Sequence, residues 1–154
     1  MIDRLSQGWH ENGKLHYHGQ YKDGNKEGLY QEWDQDGNLI IQNNYKNGHC
    51  GTLKEWWKNG NLFTQVNYKN ELFDGLSKRY FENGILSSCM EYKNGRLDGI
   101  CEKYYENGII KSRKVYKNHK RHGLSQWFSG DGTLKSEYIF ENDNNTSHIK
   151  KQRM

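Results

Sequence analysis

Hydrophobic side chains recur along the chain with a period of 23 or 24 residues. If the residue that opens each unit is position 0, an aromatic residue stands at position 5, a glycine at position 9, an aliphatic residue at position 11 and an aromatic residue at position 17. Short runs around these positions alternate polar and apolar residues, as β-strands with one buried face do. Such a unit cannot bury its apolar face alone, so the pattern predicts repeats that stack side by side.

Six copies of this unit fill most of the chain. They span residues 4–27, 28–50, 51–74, 75–98, 99–122 and 123–143, and they open at Arg4, Gly28, Gly51, Gly75, Gly99 and Gly123. The glycine at position 9 suits a three-residue hairpin loop that needs one left-handed residue. We therefore predict an all-β fold, an elongated, twisted, single antiparallel meander sheet of about 12 strands built from six tandem β-hairpin repeats.

The hairpin loop also predicts which side chains share a face. It places position 5 opposite position 11, and strand alternation then adds positions 1 and 17 to the same face. Position 1 is aliphatic or threonine: Leu5, Leu29, Thr52, Leu76, Ile100 and Leu124. Position 17 is aromatic: Tyr21, Tyr45, Tyr68, Tyr92, Tyr116 and Phe140. This face is predicted to be a ladder of leucines and aromatic rings, and the opposite face is predicted to be polar.

The composition limits the core and the compartment. Only 32% of residues are hydrophobic but 14% are aromatic, which indicates a folded protein with a thin, aromatic core. No apolar run suits a signal peptide or a membrane span, and Cys50, Cys89 and Cys101 lack CxxC spacing. We therefore expect a soluble cytoplasmic protein with free thiols. Residues 144–154 leave the repeat pattern, as a polar tail or as a cap over the last strand edge.

The middle copies carry apolar side chains on the face that is predicted to be polar. Position 6 is Trp57, Phe81 and Tyr105 in these copies, whereas it is polar in the outer ones. Contiguous apolar patches on soluble proteins mark partner sites. The predicted partner-binding residues are Trp57, Phe63, Phe81, Ile85, Tyr105 and Ile109. The alternative is that the sheet curls or dimerises and buries these rings for structural reasons.

The second half of the chain is basic. Up to Ser77 there are 8 Lys/Arg and 10 Asp/Glu residues, and from Lys78 onward there are 15 and 9. The densest basic run contains six cations and no acid: Lys111, Arg113, Lys114, Lys117, Lys120 and Arg121. Strand alternation divides these charges between both faces, which favours a solvated surface, and we expect no nucleic-acid partner. An acidic protein or an anionic membrane stays open as a partner for this run.

The sequence offers no catalytic set. Carboxylates such as Glu82 lie in exposed turns, and no Ser or Cys has a histidine in an identifiable relay. The glycines punctuate hairpins instead of forming a phosphate-binding loop. The predicted register puts His10, His16 and His18 on one face, but without further ligands for a metal. We therefore expect a non-enzymatic protein with no metal and no cofactor.

The combined motif G-x-x-x-x-[WY]-x-x-[ND]-G-x-L, followed by Y-K-N-G, resembles the MORN-repeat variant family, whose short β-hairpin repeats occur in many bacterial proteins. Departures are the glycines that are lost at Arg4, Glu71, His119 and Asp143. The resemblance implies an elongated antiparallel sheet and, in part of the family, the antitoxin or immunity component that accompanies a toxin or effector. It implies no shared catalytic residues. The expected function is a protein-binding module that neutralises a partner toxin, and the alternative is a scaffolding or membrane-surface module.

Overall fold

A computed structural model describes residues 4–149, and all the regular structure in this range is β-strand. The strands are β1 (Arg4–Trp9), β2 (Leu15–Lys22), β3 (Asn25–Trp33), β4 (Leu39–Lys46), β5 (His49–Trp56), β6 (Leu62–Lys69), β7 (Leu72–Phe73), β8 (Gly75–Tyr80), β9 (Leu86–Lys93), β10 (Arg96–Tyr104), β11 (Ile110–Lys117), β12 (Lys120–Phe128), β13 (Leu134–Glu141) and β14 (Asn144–Ile149).

These strands form one open antiparallel sheet in chain order, from β1 at one edge to β14 at the other. The predicted all-β meander of tandem hairpins is therefore confirmed. The two strands beyond the expected 12 are β7, a two-residue strand that pairs with β6, and β14. β14 takes up part of the predicted tail and pairs with β13. The rest of that tail, residues 150–154, lies outside the described residues.

Each hairpin contains a β-bulge next to its loop. Position 5 pairs with position 11, as predicted, for example Trp33 with Leu39. The next pair joins position 4 to position 13, as in Glu32 with Ile41, so the residue at position 12 is extra. Because successive side chains of a strand point to opposite faces, one extra residue exchanges the faces of all residues that follow it.

This bulge corrects the predicted ladder. Tyr45 at position 17 pairs with Gly28, whereas Leu29 at position 1 pairs with Asn44. Residues directly opposite each other share a face, so the position 1 leucines and the position 17 aromatic rings lie on opposite faces of the sheet. The prediction of a shared ladder was wrong because it treated the hairpin as having no extra residue.

We call the face that holds positions 2, 4, 13, 15 and 17 the inner face. Every residue that is buried in the described part of the chain lies on it: Gly19, Thr64, Val66, Ser88, Cys101, Ser112, Ser125 and Phe140. Most of these residues are small, so the core of this single-layer sheet is thin. Rings line the same face, and those of Tyr17 and Tyr30 stack with centres 6.3 Å apart.

The outer face holds positions 1, 3, 5, 14 and 16. Its position 1 row is exposed at Leu5, Leu29, Leu76, Ile100 and Leu124. The exposed fraction reaches 53% for Leu5 and 50% for Ile100. The leucine row that was predicted to build the core is thus an exposed apolar row on the other face of the sheet.

Side-chain amides in the hairpin loops join four of the copies to the copy that follows. An asparagine at position 8 donates a hydrogen bond to a backbone carbonyl 23 residues later in four copies. Asn107 Nδ2, for example, lies 2.9 Å from Gly130 O, and Asn107 Oδ1 accepts the Ile109 N–H of its own loop. The loops therefore stack along one edge of the sheet, and this bonding helps to fix the spacing of the copies.

The turns between copies survive where glycine is lost. Glu71, His119 and Asp143 occupy the glycine place with φ of 65°, 70° and 70°, and the asparagine before each of them is left-handed as well. Asparagine tolerates this region better than most residues. The lost glycines therefore leave the meander intact.

A polar network on the outer face makes stability depend on pH. The Glu102 carboxylate accepts hydrogen bonds from the Tyr104 hydroxyl at 2.5 Å and from Arg113 Nε at 2.7 Å. The Tyr104 bond above all, and then Arg113, hold the pKa of Glu102 below its usual range. A lowered folded-state pKa means that this stabilisation is present above the unfolded pKa of about 4.3 and is lost as the pH falls through the lower, folded pKa.

We expect Glu102→Gln to lower the free energy of unfolding by about 1 kcal/mol at pH 7, since Arg113 is half exposed and its charge is screened. At pH 3 the difference from the unchanged protein should shrink. Urea unfolding followed by circular dichroism at both pH values measures it, with Glu106→Gln in an exposed turn as the control. The same loss at pH 3 as at pH 7 would contradict the assignment.

Candidate functional site

An open cavity of about 500 Å³ lies on the inner face and is centred on the fourth copy. Residues from β6 to β11 and from the loop after β8 line it. Val66 and Met90 contribute apolar atoms, and the rings of Phe73, Phe81 and Tyr92 add aromatic surface. The cavity therefore combines the apolar and aromatic surface that anchors a partner with an opening to solvent.

Among the described residues, three cations also line this cavity and no acidic residue does. Arg79 and Lys103 occupy position 4 on β8 and β10, so strand alternation directs both to the inner face. Lys111 is the bulge residue that follows Ile110, and its Nζ lies 5.4 Å from the centre of the Tyr105 ring. The four ion pairs found among the described residues include none of the three.

Position 4 changes its charge along the sheet. Glu32 and Glu55 occupy it in the second and third copies, and Arg79 and Lys103 occupy it in the fourth and fifth. The repeat thus accepts a negative or a positive side chain at position 4. Packing within the repeat therefore does not explain why Arg79 and Lys103 are cations. Arg79 and Lys103 were missed by the sequence analysis, although this reversal at one repeat position was a signal that could have identified them.

The structure places the predicted partner-binding residues along the hairpin-loop side of the inner face, where all six are half-buried: Trp57, Phe63, Phe81, Ile85, Tyr105 and Ile109. Two of the rings also join neighbouring copies. Trp57 Nε1 donates a hydrogen bond to Tyr80 O at 3.2 Å, and the Tyr105 hydroxyl donates one to Phe128 O at 2.9 Å. These two rings therefore help to hold the sheet together, whatever else they bind.

The other four residues divide between packing and the cavity. The Phe63 ring meets the Trp57 ring edge to face, with centres 4.5 Å apart. Ile85 and Ile109 cover the loop glycines of the next copies. Phe81 alone among the six lines the cavity. The structure thus gathers Phe81 with Arg79, Lys103 and Lys111, whereas the remaining members of the predicted set do not line the cavity.

The predicted basic run is spread over both faces and a turn. Arg113 lies on the outer face, paired with Glu102 at 2.7 Å. Lys117 and Lys120 face each other across the turn between β11 and β12. Lys114 and Arg121 lie on the inner face, with Lys114 Nζ 5.1 Å from the centre of the Trp127 ring and the Arg121 guanidinium 4.0 Å from that of Phe140. The run therefore forms no single patch.

The pKa of Lys114 is affected by the other cations of the inner face. Burial lowers the pKa of the Lys114 ammonium, and the positive charges of Lys103 and Arg121 lower it further. The positive charges of Lys103 and Arg121 are therefore close enough to Lys114 to act on its protonation.

The three histidines do not meet in one place. His10 and His16 stack with ring centres 4.3 Å apart, and His10 Nε2 forms a 2.8 Å hydrogen bond with Trp33 O. His18 instead pairs with Gln7 on the outer face, so the prediction of a shared face was wrong for His18, because His16 is the bulge residue. Among the side chains that the structure describes, no three of His, Cys, Asp or Glu are grouped so as to hold a metal.

Burial raises the pKa of the Cys50, Cys89 and Cys101 thiols, and all three are free. A raised pKa leaves less thiolate at neutral pH, so these thiols are poor nucleophiles. In the described part of the chain there is also no helix of the length and apolar character that crossing a membrane requires.

Comparison with known protein families identifies the family to which the repeats belong. Six segments of the chain match the family model described as the MORN repeat variant: residues 5–23, 26–47, 50–70, 73–94, 97–118 and 121–142. The chain belongs to the MORN-repeat variant family. MORN repeats are in general modules that bind proteins or membranes, and they are generally non-enzymatic. No curated protein matches the chain in sequence.

Proposed function

We propose that this MORN-repeat protein binds a partner protein through its inner face and neutralises it as an antitoxin or immunity protein does. The observation that carries the proposal is the cavity in which Phe81 lies beside Arg79, Lys103 and Lys111. Aromatic residues, methionine and arginine are enriched at protein interfaces, and Phe81, Met90 and Arg79 supply all three kinds of side chain here. The family resemblance supports the antitoxin role, with a toxin or effector as the partner.

The mechanism is steric and stoichiometric. The sheet is one continuous hydrogen-bonded layer with loops stacked along its edge, so it presents the inner face without much loss of conformational entropy on binding. The Phe81 ring supplies an apolar anchor, and the cations orient the partner and raise its association rate. Blocking the partner's own active surface requires no chemistry from this chain.

We also propose a cytoplasmic location, which the free thiols of Cys50, Cys89 and Cys101 support, since thiols persist in a reducing compartment. A second candidate function is a scaffolding or membrane-surface module. The exposed apolar row of the outer face favours it, because such a row can lie on another surface.

Capture of the protein with an affinity tag from its native cells, followed by mass spectrometry, tests the proposal. We expect to capture one toxic protein in a one-to-one complex that survives gel filtration. Expressed alone, that protein should inhibit cell growth, and coexpression of this chain should restore growth. Sedimentation with anionic vesicles at low salt, together with the absence of any captured protein, would instead support the membrane-surface module.

A further inference from the structure

The cations of the inner-face cavity form no ion pair among the residues that the structure describes. Arg79, Lys103 and Lys111 line the same open cavity, and neither its lining nor the ion pairs of the described residues offers them a carboxylate. Placing several like charges around one concavity focuses a positive potential there. The chemistry of this cavity therefore selects a negatively charged occupant.

The arrangement of the cations fits several carboxylates better than one compact anion. Arg79 and Lys103 come from β8 and β10, which are separated by β9, so their backbones are about 10 Å apart. Side chains on one face of an extended polypeptide recur about every 7 Å, and the long Arg and Lys side chains allow two such carboxylates to be reached from backbones about 10 Å apart. Val66, Phe73 and Met90 add apolar surface to the lining, which a bare phosphate ion would leave uncovered.

We infer that this cavity binds an acidic segment of the partner protein, with Asp or Glu carboxylates held by Arg79, Lys103 and Lys111 and an apolar side chain against Phe81. The inference rests on the proposed function, because it names the chemistry of the partner surface that the inner face accepts. The acidic segment binds in an extended conformation across the fourth and fifth copies.

The reversal of charge at position 4 fixes the orientation in which the partner binds along the sheet. Glu32 and Glu55 on the inner face of the second and third copies repel an acidic segment, whereas Arg79 and Lys103 attract it. The acidic segment is therefore held away from the first half of the sheet, and the rest of the partner surface meets Glu32 and Glu55 with neutral or basic groups.

A fluorescein-labelled peptide of eight glutamates is the probe, and its binding is measured by fluorescence anisotropy in 50 mM salt. We expect the unchanged protein to bind it and the double variant Arg79→Gln, Lys103→Gln to bind it at least about tenfold more weakly. The matched control is Lys54→Gln, Lys78→Gln, which removes the same charge from position 3 on the outer face. This control should bind within about twofold of the unchanged protein.

Equal losses in both double variants would overturn the inference, because net charge and not the cavity would then explain binding. Failure of the unchanged protein to bind the peptide would also overturn the inference. The same holds if the unchanged protein binds tripolyphosphate but not the peptide. Circular dichroism is used to check that the variants are folded. We expect them to fold, because the side chains of Arg79 and Lys103 are exposed.

If the captured partner binds Arg79→Gln, Lys103→Gln normally, this inference fails and the proposed function stands. If the peptide result holds and no partner is captured, the cavity stands and the proposed function fails.

Discussion

Replacing Phe81 by alanine is expected to weaken binding of the captured partner roughly 30- to 1,000-fold, as loss of about 2–4 kcal/mol at an interface hot spot does. Phe81 lines the inner-face cavity beside Arg79. Unlike the Trp57 and Tyr105 side chains, the phenylalanine ring has no hydrogen bond to the next copy, so its removal should not loosen the sheet. Titration calorimetry with the purified partner measures the change.

The matched control is Leu76→Ala. Leu76 lies on β8 with Arg79, but it is on the outer face and 43% of it is exposed. We expect its removal to change the affinity less than about threefold, because it lies outside the proposed interface. Weaker binding in Leu76→Ala together with normal binding in Phe81→Ala would place the interface on the outer apolar row and contradict the proposal.

Replacing Gly19 by alanine should lower the free energy of unfolding by about 1–3 kcal/mol, as overpacking of a fitted site does. Gly19 is buried on the inner face and lies directly opposite Tyr30. An added Cβ would stand 2.6 Å from Tyr30 Cδ2. The ring cannot easily move aside, since its hydroxyl donates to Glu32 Oε1 at 2.9 Å and Lys26 Nζ lies 3.9 Å from the centre of its face.

Two comparisons separate this close packing from the general effect of losing a glycine. Gly130 has no heavy atom within 4 Å of an added Cβ and no left-handed φ, so Gly130→Ala should change stability by less than about 0.5 kcal/mol. Adding Tyr30→Leu to Gly19→Ala should recover part of the loss, because the double variant removes the clash. Urea midpoints by circular dichroism measure all four proteins. Equal midpoints for the two glycine variants would contradict the role of the Tyr30 ring.

Most of the fold could be predicted because it depends on local signals that every copy repeats. The loop glycine and the pairing of position 5 with position 11, as in Trp33 with Leu39, follow from hairpin geometry. The bulge at position 12 could not be predicted in the same way. Its residues range from His16 through Phe63 to Lys111 and share no property that marks an inserted residue. One residue then reversed the assignment of faces for the whole second strand of each hairpin.

The candidate site could be predicted only in part. A run of aromatic residues at position 6 indicated Phe81, and the structure adds the cavity in which it lies. The hydrogen bonds from Trp57 and Tyr105 to the next copy could not be predicted from the sequence, because they depend on the spacing between stacked loops. Alternation along the first strand of each hairpin puts Arg79 and Lys103 on the same face as Phe81, but the sequence did not show that these residues line one cavity.

The measurement that tests the central claim most directly is hydroxyl-radical footprinting of the protein free and bound to its partner. It reports on side chains, so it separates the two faces of a single-layer sheet. We predict that binding protects Phe81, Met90 and Tyr92 on the inner face and leaves Leu76, Ile100 and Leu124 as reactive as in the free protein. Protection of Leu76, Ile100 and Leu124, with no change at Phe81, Met90 and Tyr92, would contradict the claim that the inner face binds the partner.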